Sequence, residues 1–332
     1  MKAQRSRATL SVKVLQYAFT MWVILTLNFA LPRLIPGNPL AELDNPQGLP
    51  IPLSEEQRMR LMAYYGLDKP LWRQYIDYLA GFIRADWGWS ISYNAPVLVI
   101  LIRRLRWTIP LVGTSFILYV ALGVALGNFS AWHRRRFSDG LLLTLMSVTG
   151  AFPTFFLAML LIVLFGVKLK LLPLGGAQSP LALSKPWLTR NLDLIRHAIL
   201  PTTTLILANI GEIYYLTRNA MIQTLGEMYI SVARAKGLGE RRVRLRHALP
   251  NALLPIITLI TLRFGFLVMG AVMVETTFAY PGIGSVIVEA NTSRDYPLLQ
   301  GAFALIMLSV MGANLLADLL YGLLDPRIRR NV

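Results

Sequence analysis

The sequence contains no cysteine, and this absence removes several kinds of site at once. A chain without thiols cannot build a disulfide framework, a thiolate zinc site or a cysteine nucleophile. The three histidines, His133, His197 and His247, lie far apart in the chain. Because a catalytic metal usually needs several clustered histidine or carboxylate ligands, we do not expect a metalloenzyme.

Glycine-rich phosphate loops are missing as well. No lysine follows a glycine anywhere in the chain, so the nucleotide-binding pattern G-x-x-x-x-G-K-[ST] is absent. The patterns G-x-G-x-x-G and G-x-S-x-G also fail, and the nearest approaches, Gly237-Leu-Gly239 and Gly282-Ile-Gly284, predict turns. The chain therefore does not bind ATP by that device.

Charge is scarce. Charged residues make up 15% of the 332 residues and hydrophobic residues 55%, with a mean hydropathy of +0.52. These values predict a membrane protein. The net charge of +16 would suggest nucleic acid in a soluble protein, but here the basic residues form short runs between apolar segments. Orientation in a bilayer explains such runs better, so we expect no nucleic-acid partner.

Long apolar segments are abundant. About 20 apolar residues cross the ~30 Å hydrocarbon core as a helix. The first segment follows a basic leader, but it is longer than the apolar part of a secretory signal and no convincing cleavage site follows, so we interpret it as an anchor helix. The sequence thus predicts an all-α polytopic membrane protein with six transmembrane helices, at about Val14–Leu31, Ile109–Trp132, Leu141–Val167, His197–Thr217, Ala252–Val274 and Leu298–Leu324.

The basic residues predict the orientation of these helices. With both termini in the cytoplasm, the inside segments carry 17 Lys and Arg against four acids, as the excess of basic residues in cytoplasmic loops requires. Arg103, Arg104 and Arg106 then precede the second helix on the outer face. We interpret them as snorkelling from an amphipathic approach segment.

Two loops are long enough to form external structure. Residues 36–96 are rich in Pro, Trp and Tyr, and helical patterns at Ser54–Tyr65 and Leu71–Ile83 predict a small external subdomain. Its aromatic residues have an interfacial belt as their default interpretation. Residues 168–196 form a second external loop.

The cytoplasmic loop, residues 218–251, predicts two short helices. Residues Glu227 to Lys236 favour a helix with an acid at its start and bases at its end, and Gly237 is placed to cap it. A second amphipathic stretch follows from Glu240. From these residues alone, a lipid-binding interfacial element and a partner-docking element are both open.

Three ionisable residues fall within predicted membrane helices: Glu212, Arg263 and Asp318. Such residues are functional hypotheses by default, because a charge in hydrocarbon is costly. They are candidates for lining a translocation pathway. Structural pairing is the favoured interpretation for all three, and Arg263 in particular must find a partner or water.

Several sequence blocks, taken in order along the chain, resemble those of a known family. The cytoplasmic loop carries Ala233, Gly237, Leu249 and Pro250 at the positions of the pattern E-A-A, three residues, Gly, nine residues, I-x-L-P, whereas Ser231, Val232 and His247 depart from it. Further blocks occur in order: Pro36-Gly-Asn-Pro39, Tyr65-Gly-Leu-Asp-Lys-Pro-Leu71, Asp86-Trp-Gly-Trp-Ser90, Glu275-Thr-Thr-Phe-Ala-Tyr-Pro-Gly-Ile-Gly284, Arg294-Asp-Tyr-Pro-Leu298 and Asp325-Pro-Arg-Ile-Arg329. Over essentially its whole length, the chain resembles inner-membrane permease subunits of ATP-binding-cassette importers, in the dipeptide, oligopeptide and nickel branch.

The resemblance implies a set of partners and a role for the cytoplasmic loop. The partners are a second, similar permease, two ATPase subunits or domains and an external substrate-binding protein. ATP and Mg would bind the ATPases, leaving this chain without catalytic residues, cofactor or metal. The resemblance also implies a coupling helix that docks on an ATPase, with Glu227, Met228, Tyr229, Ala233, Arg234, Ala235, Lys236, Gly237 and Leu238 as its residues. Small residues at 233, 235 and 237 would permit close approach.

The expected organisation has four parts: residues 1–35 as the cytoplasmic N-terminus and first helix, 36–106 as the external subdomain, 107–324 as a five-helix core, and 325–332 as a cytoplasmic tail. The expected function is a permease subunit for peptides or a related solute in the cell membrane. An autonomous secondary transporter is the alternative, although the sequence shows no internal repeat. A membrane-embedded enzyme would need a paired acid and base, which the sequence lacks.

Overall fold

The computed structural model describes residues 2–34, 56, 59, 68–184, 186–265 and 271–324. The fold is mostly helical, with one two-stranded sheet in the described residues. The chain divides into two compact units, one formed by residues 1–106 with 282–332 and the other by residues 107–281. The predicted division into four parts stays a prediction.

The first unit combines both ends of the chain. Its elements are α1 (Lys2–Leu34), α2 (Leu71–Ile83), β1 (Trp89–Ser90), β2 (Ala95–Pro96), the first turns of α3 (Val97–Trp132), α12 (Ile283–Thr292) and α13 (Tyr296–Leu324). Helix α1 packs on both α2 and α13. The predicted helix at Leu71–Ile83 is confirmed as α2, while most of the Ser54–Tyr65 pattern lies outside the described residues.

A short hairpin in this unit is fastened by a buried carboxylate. Strands β1 and β2 pair antiparallel, with Ser90 opposite Ala95. The hydroxyl of Ser90 and the backbone N–H of Ser92 both donate to the carboxylate of Asp295, which is fully buried. Asp295 also accepts from the N–H of Leu298, so it caps the start of α13 and holds the hairpin there.

The second unit contains the remaining helices. They are the rest of α3, α4 (Phe137–Ala151), α5 (Thr154–Leu161) continued by a π-helix (Ile162–Lys168), α6 (Trp187–Leu225), α7 (Met228–Ala235), α8 (Glu240–Arg242) continued by a π-helix (Val243–Ala248), α9 (Leu249–Ala252), α10 (Leu254–Gly265) and α11 (Val272–Thr277). A 3₁₀ turn lies at Ala182–Ser184. Three apolar clusters form the core of this unit.

Two glycines on α3 allow a close contact with α6. A Cβ at Gly127 would lie 2.7 Å from the carbonyl oxygen of Tyr214, and a Cβ at Gly123 would lie 2.8 Å from the Cβ of Ile213. Real Cβ atoms do not occur at such distances, so the contact needs glycine at both positions. The spacing G-x-x-x-G places them on one face of the helix.

The membrane-spanning count can be compared with the sequence prediction only in part. Among the described residues, the helices Val97–Trp132 and Tyr296–Leu315 are long and apolar enough to cross a bilayer. A third span results if α4 and the Thr154–Lys168 segment, bent by 102° relative to each other, count as one. Pro153 explains the break, because proline cannot continue the hydrogen-bond ladder of α4. The apolar helix Leu15–Ala30 is shorter than this criterion requires.

Three local predictions need correction. The second predicted helix begins at Val97 rather than Ile109, so Arg103, Arg104 and Arg106 lie inside α3. Snorkelling is wrong for Arg104, whose guanidinium donates to the hydroxyl of Tyr93 and lies 3.4 Å from Glu289. The turn predicted at Gly282–Gly284 is also wrong, because Gly282 precedes α12 and Gly284 already lies within it.

Candidate functional site

The loop at residues 218–251 contains the helix that the sequence predicted. Helix α7 follows Glu227, whose backbone is extended, and ends at Ala235. Two backbone bonds close its C-terminus: the N–H of Gly237 donates to the carbonyl of Arg234 (2.9 Å), and the N–H of Leu238 donates to that of Ala233 (3.4 Å). This pairing is a Schellman motif, which requires a left-handed residue. Gly237 has φ +77°, so the predicted cap is confirmed.

Helix α7 has one buried side and one exposed side. Ile230 is fully buried and Ala233 is 6% exposed, and both belong to a cluster with Met221, Val243 and Ala248. Met228, by contrast, is 81% exposed. The exposed side also carries Glu227, Tyr229, Val232, Arg234, Ala235, Lys236 and Gly237. We call Met228 and these seven residues the loop face.

The burial of Ala233 changes the meaning of its small size. The sequence suggested that alanine there permits approach of a partner. In the structure Ala233 packs inside this chain, against the helices that follow α7. Leu238 is likewise half-buried and packs on the same cluster. Both residues therefore hold α7 in place, and the exposed positions are left for contact.

Basic residues border the loop face. Arg234 forms an exposed ion pair with Glu240 across the turn, at 3.1 Å. Beyond it, Arg241, Arg242 and Arg246 line an open groove of about 700 Å³ together with Gly239, Glu240 and Leu245. Arg244 lies over the ring of Trp132 at 5.4 Å, which attaches this stretch to the end of α3. These basic residues favour a partner that carries acidic groups where it meets them.

A buried charge network lies just above this cluster. Arg218 of α6 donates through Nε and Nη2 to the two carboxylate oxygens of Asp139, both at 2.8 Å. Ser130 donates to the same carboxylate and shares a hydrogen bond with Tyr214, and the backbone N–H of Arg135 adds a further bond. The hydrogen bonds from Arg218 hold the pKa of Asp139 well below its usual range, although burial opposes the shift. We call Asp139, Arg218, Ser130 and Tyr214 the anchor network.

The anchor network joins three helices at one level. Ser130 is on α3, Asp139 on α4, and Tyr214 and Arg218 on α6. Met221, one turn beyond Arg218, is fully buried in the cluster that also holds Ile230 and Ala233 of α7. The anchor network and this cluster are therefore neighbours along α6.

A second charge pair lies deeper in the predicted membrane helices. Arg263 of α10 donates through Nη2 to Glu212 of α6 at 2.6 Å. The prediction that Arg263 finds a partner is confirmed. The two side chains remain 45% and 42% exposed. The side chain of Asp318 lies outside the described residues.

Metal chemistry has no visible basis in the described parts of the chain, where no three His, Cys, Asp or Glu side chains come close enough to hold an ion. His133 and His197 each bond to the carbonyl four residues earlier in their own segments. Their roles are local.

Comparison with known families decides the assignment. Residues 123–330 match the family model described as "binding-protein-dependent transport system inner membrane component". This chain belongs to that family. The matched residues include the loop face, the anchor network and the Glu212–Arg263 pair. These sites therefore lie within the domain that defines the family.

Individual permeases align over nearly the full length. The dipeptide transport system permease protein DppB of Escherichia coli (strain K12) is 36% identical over 322 residues, covering 92% of this chain and 94% of the relative. The glutathione transport system permease protein GsiC of the same strain is 35% identical, with 93% and 95% covered. A probable peptide ABC transporter permease protein, y4tP of Sinorhizobium fredii, is 36% identical, with 91% and 92% covered. The resemblance to the dipeptide and oligopeptide branch is therefore confirmed.

Family membership also bears on the alternative. The permease is an inner-membrane transport component with apolar helices. The reading as an autonomous secondary transporter has no support from these relatives.

Sequence reasoning missed two features of this permease. The anchor network joins residues up to 88 positions apart, and in the sequence Asp139 and Arg218 are merely two of the charges that predict the orientation of the helices. Glu275 is fully buried and accepts a hydrogen bond from Thr108 at 2.7 Å. Its position inside the block Glu275–Gly284 was the one available signal, since an acid in an apolar segment needs a buried donor.

Proposed function

We propose that this permease forms half of the translocation pathway of an ATP-binding-cassette importer and that the loop face docks on an ATPase subunit. The supporting observation is the mounting of α7. Its inner side is packed into a cluster that also contains residues of α3 and α6, and its outer side exposes Met228, Tyr229 and Val232. Exposed apolar residues ringed by charges are typical of a protein-binding surface.

The proposal includes the arrangement of the complex. A second, similar permease completes the pathway, two ATPase subunits or domains bind ATP and Mg, and an external binding protein delivers the solute. Closure of the ATPases moves α7, and the anchor network carries that movement to α3, α4 and α6. Hydrolysis takes place on the partners, and this chain contributes a path whose two access states differ in energy.

The proposed topology has six transmembrane helices with both termini in the cytoplasm and residues 36–96 outside. The distribution of basic residues supports it. Cysteines introduced singly at Ser54 and Ser138 are expected to react with an impermeant reagent from opposite faces of the membrane. The cysteine-free chain supplies the blank, and reaction of both from one face would contradict the topology.

The proposed solute is a peptide or a related small molecule. The relatives support this class, because their names include dipeptide, glutathione and peptide transport. Uptake of a radiolabelled dipeptide by proteoliposomes, in the presence of the cognate binding protein, tests it directly. Failure of dipeptide and glutathione alike, with normal ATP hydrolysis, would exclude the class.

Gly237 offers a sharp test of docking. Valine at φ +77° is strained by about 1–2 kcal/mol, and its side chain would project into open space where a partner lies. We expect Gly237→Val to reach the membrane normally but to reduce both binding-protein-stimulated ATP hydrolysis and uptake.

Gly239 is the matched control. Its surroundings are equally open, but its φ is −61°, which valine adopts without strain. Because Gly239 lines the groove beside the loop face, Gly239→Val adds the same bulk there without backbone strain, and we expect a smaller loss of stimulated hydrolysis than for Gly237→Val. If α7 were only a lipid-binding element, Gly237→Val would weaken surface association and leave the ATPase response intact.

A further inference from the structure

The Glu212–Arg263 pair has an unusual combination of position and exposure. Glu212 lies six residues before Arg218, about 9 Å deeper along α6, and Arg263 lies on α10, which contacts α6. Both side chains are more than two-fifths exposed at the surface of the second unit. A charged pair at that depth cannot face lipid tails without a large cost. Its exposed side must therefore meet water or another polar surface.

Four polar residues share one side of α6 with two leucines, Leu205 and Leu216. Thr202, Asn209, Glu212 and Asn219 recur at spacings of three and seven residues and fall within about 100° of one another around the helix. None of the four is buried. We call Thr202, Asn209, Glu212 and Asn219 the polar stripe, and its side chains can hydrogen-bond to water or to a polar solute.

The geometry of the pair leaves capacity for a ligand. Arg263 contacts Glu212 through one guanidinium nitrogen, whereas a guanidinium can present two parallel N–H groups to a carboxylate. Glu212 likewise has a second carboxylate oxygen that can accept from an ammonium group. The two residues together offer one cationic and one anionic contact, side by side.

We propose that Glu212 and Arg263 form a binding site for zwitterionic peptides on the translocation path, with Arg263 taking the C-terminal carboxylate and Glu212 the N-terminal ammonium. The inference rests on the proposed transport function and names the solute chemistry that the path selects. An unliganded pair satisfies itself, and an arriving zwitterion replaces each contact with one of the same charge type. Neither charge is then left unpaired at any stage, which keeps the cost of passage low.

The experiment uses a cysteine reporter beside the pair. Asn209→Cys, one turn from Glu212 in a chain with no other cysteine, leaves both charges in place. The purified permease–ATPase complex in nanodiscs, without the binding protein, is treated with a charged thiol reagent. Dialanine at about nine times its dissociation constant should slow the reaction about tenfold by occupancy. N-acetyl-dialanine amide, which lacks both charges, should give no protection.

Charge variants connect the protection to the pair. Glu212→Gln and Arg263→Gln, each combined with Asn209→Cys, should require about tenfold more dialanine for the same protection, because one charge-assisted contact is lost. Arg263→Lys retains the positive charge and should retain part of the affinity for dialanine. Asn219→Cys is the control, since it lies two turns away on the same stripe and should react without protection. Size-exclusion profiles verify that each complex is assembled.

The outcomes separate the inference from the transport function. If Asn209→Cys does not react, the stripe is covered by protein or lipid and the site is refuted. Equal protection by blocked and free peptide, or protection that survives both charge removals, also refutes it. Dipeptide uptake is measured on the same preparations. Uptake without protection overturns this site alone, whereas absence of uptake for every peptide overturns the transport proposal and the site with it.

Discussion

Two arginine–carboxylate pairs each contain one residue of α6 but differ in burial and in the number of their hydrogen bonds. Arg218 holds Asp139 through two bonds of 2.8 Å, with side chains 14% and 5% exposed. Arg263 holds Glu212 through one bond, and both partners are nearly half exposed. The first pair is saturated by Ser130 and the backbone of Arg135 as well. The first pair uses its hydrogen-bonding groups within the chain, whereas the single bond of the second pair leaves groups for the zwitterion that we propose.

The largest expected effect is on the anchor network. Asp139→Asn leaves the buried guanidinium of Arg218 without its anion and should reduce the free energy of unfolding by about 3–5 kcal/mol. Denaturant unfolding of the purified permease, followed by circular dichroism, measures the loss. A loss below about 1 kcal/mol would show that water reaches Asp139 and would remove the contrast between the two pairs.

Acid should reveal the same network through the pKa of Asp139. Because the folded-state pKa is depressed, its contribution to stability is complete above the unfolded value of about 3.9 and is lost as the pH falls through the folded pKa. The stability difference between wild type and Asp139→Asn should therefore stay constant from pH 7 to about pH 5 and shrink only below about pH 4. A difference that declines near pH 6 would contradict the assignment to this carboxylate.

A smaller effect on stability is expected at the other pair. Glu212→Gln leaves Arg263 in contact with polar surroundings, so the unfolding free energy should fall by about 1 kcal/mol or less, while uptake of dipeptide falls. Thermal denaturation and uptake are measured on one preparation. A destabilisation as large as that of Asp139→Asn would mean that the pair is closed off in the assembled transporter, and the two regions would then be alike.

The smallest effect should come from a pair outside both regions. Lys69 and Asp77 form an ion pair at 2.7 Å, with side chains 46% and 48% exposed. Asp77→Asn is the matched control for the two substitutions above. It removes a carboxylate that lies at a similar distance from its cationic partner, but in an ion pair exposed to solvent. We expect unchanged thermal unfolding and unchanged uptake.

The local elements could be predicted from the sequence because their signals are local. The Schellman cap at Gly237 follows from a glycine after an acid-first, base-last helix, and α2 follows from the apolar spacing in Leu71–Ile83. The family blocks predicted the function class. The anchor network could not be predicted, because Asp139 and Arg218 meet only after α4 and α6 pack. Packing of α7 on the helices that follow it buries Ala233, whose small size looked like a feature of the exposed surface.

The two close-contact glycines of α3 have a consequence for biogenesis. Gly123 and Gly127 contact residues of α6 that are synthesised some 90 positions later, with the bent α4–α5 segment in between. Helices of membrane proteins insert first and associate afterwards, so α3 must wait in the bilayer with its small-residue face unoccupied. The seam between α3 and α6 then sets the distance at which Ser130 meets Arg218. An error in this late step would produce a permease that is inserted correctly but whose α3, α4 and α6 are not joined by the anchor network.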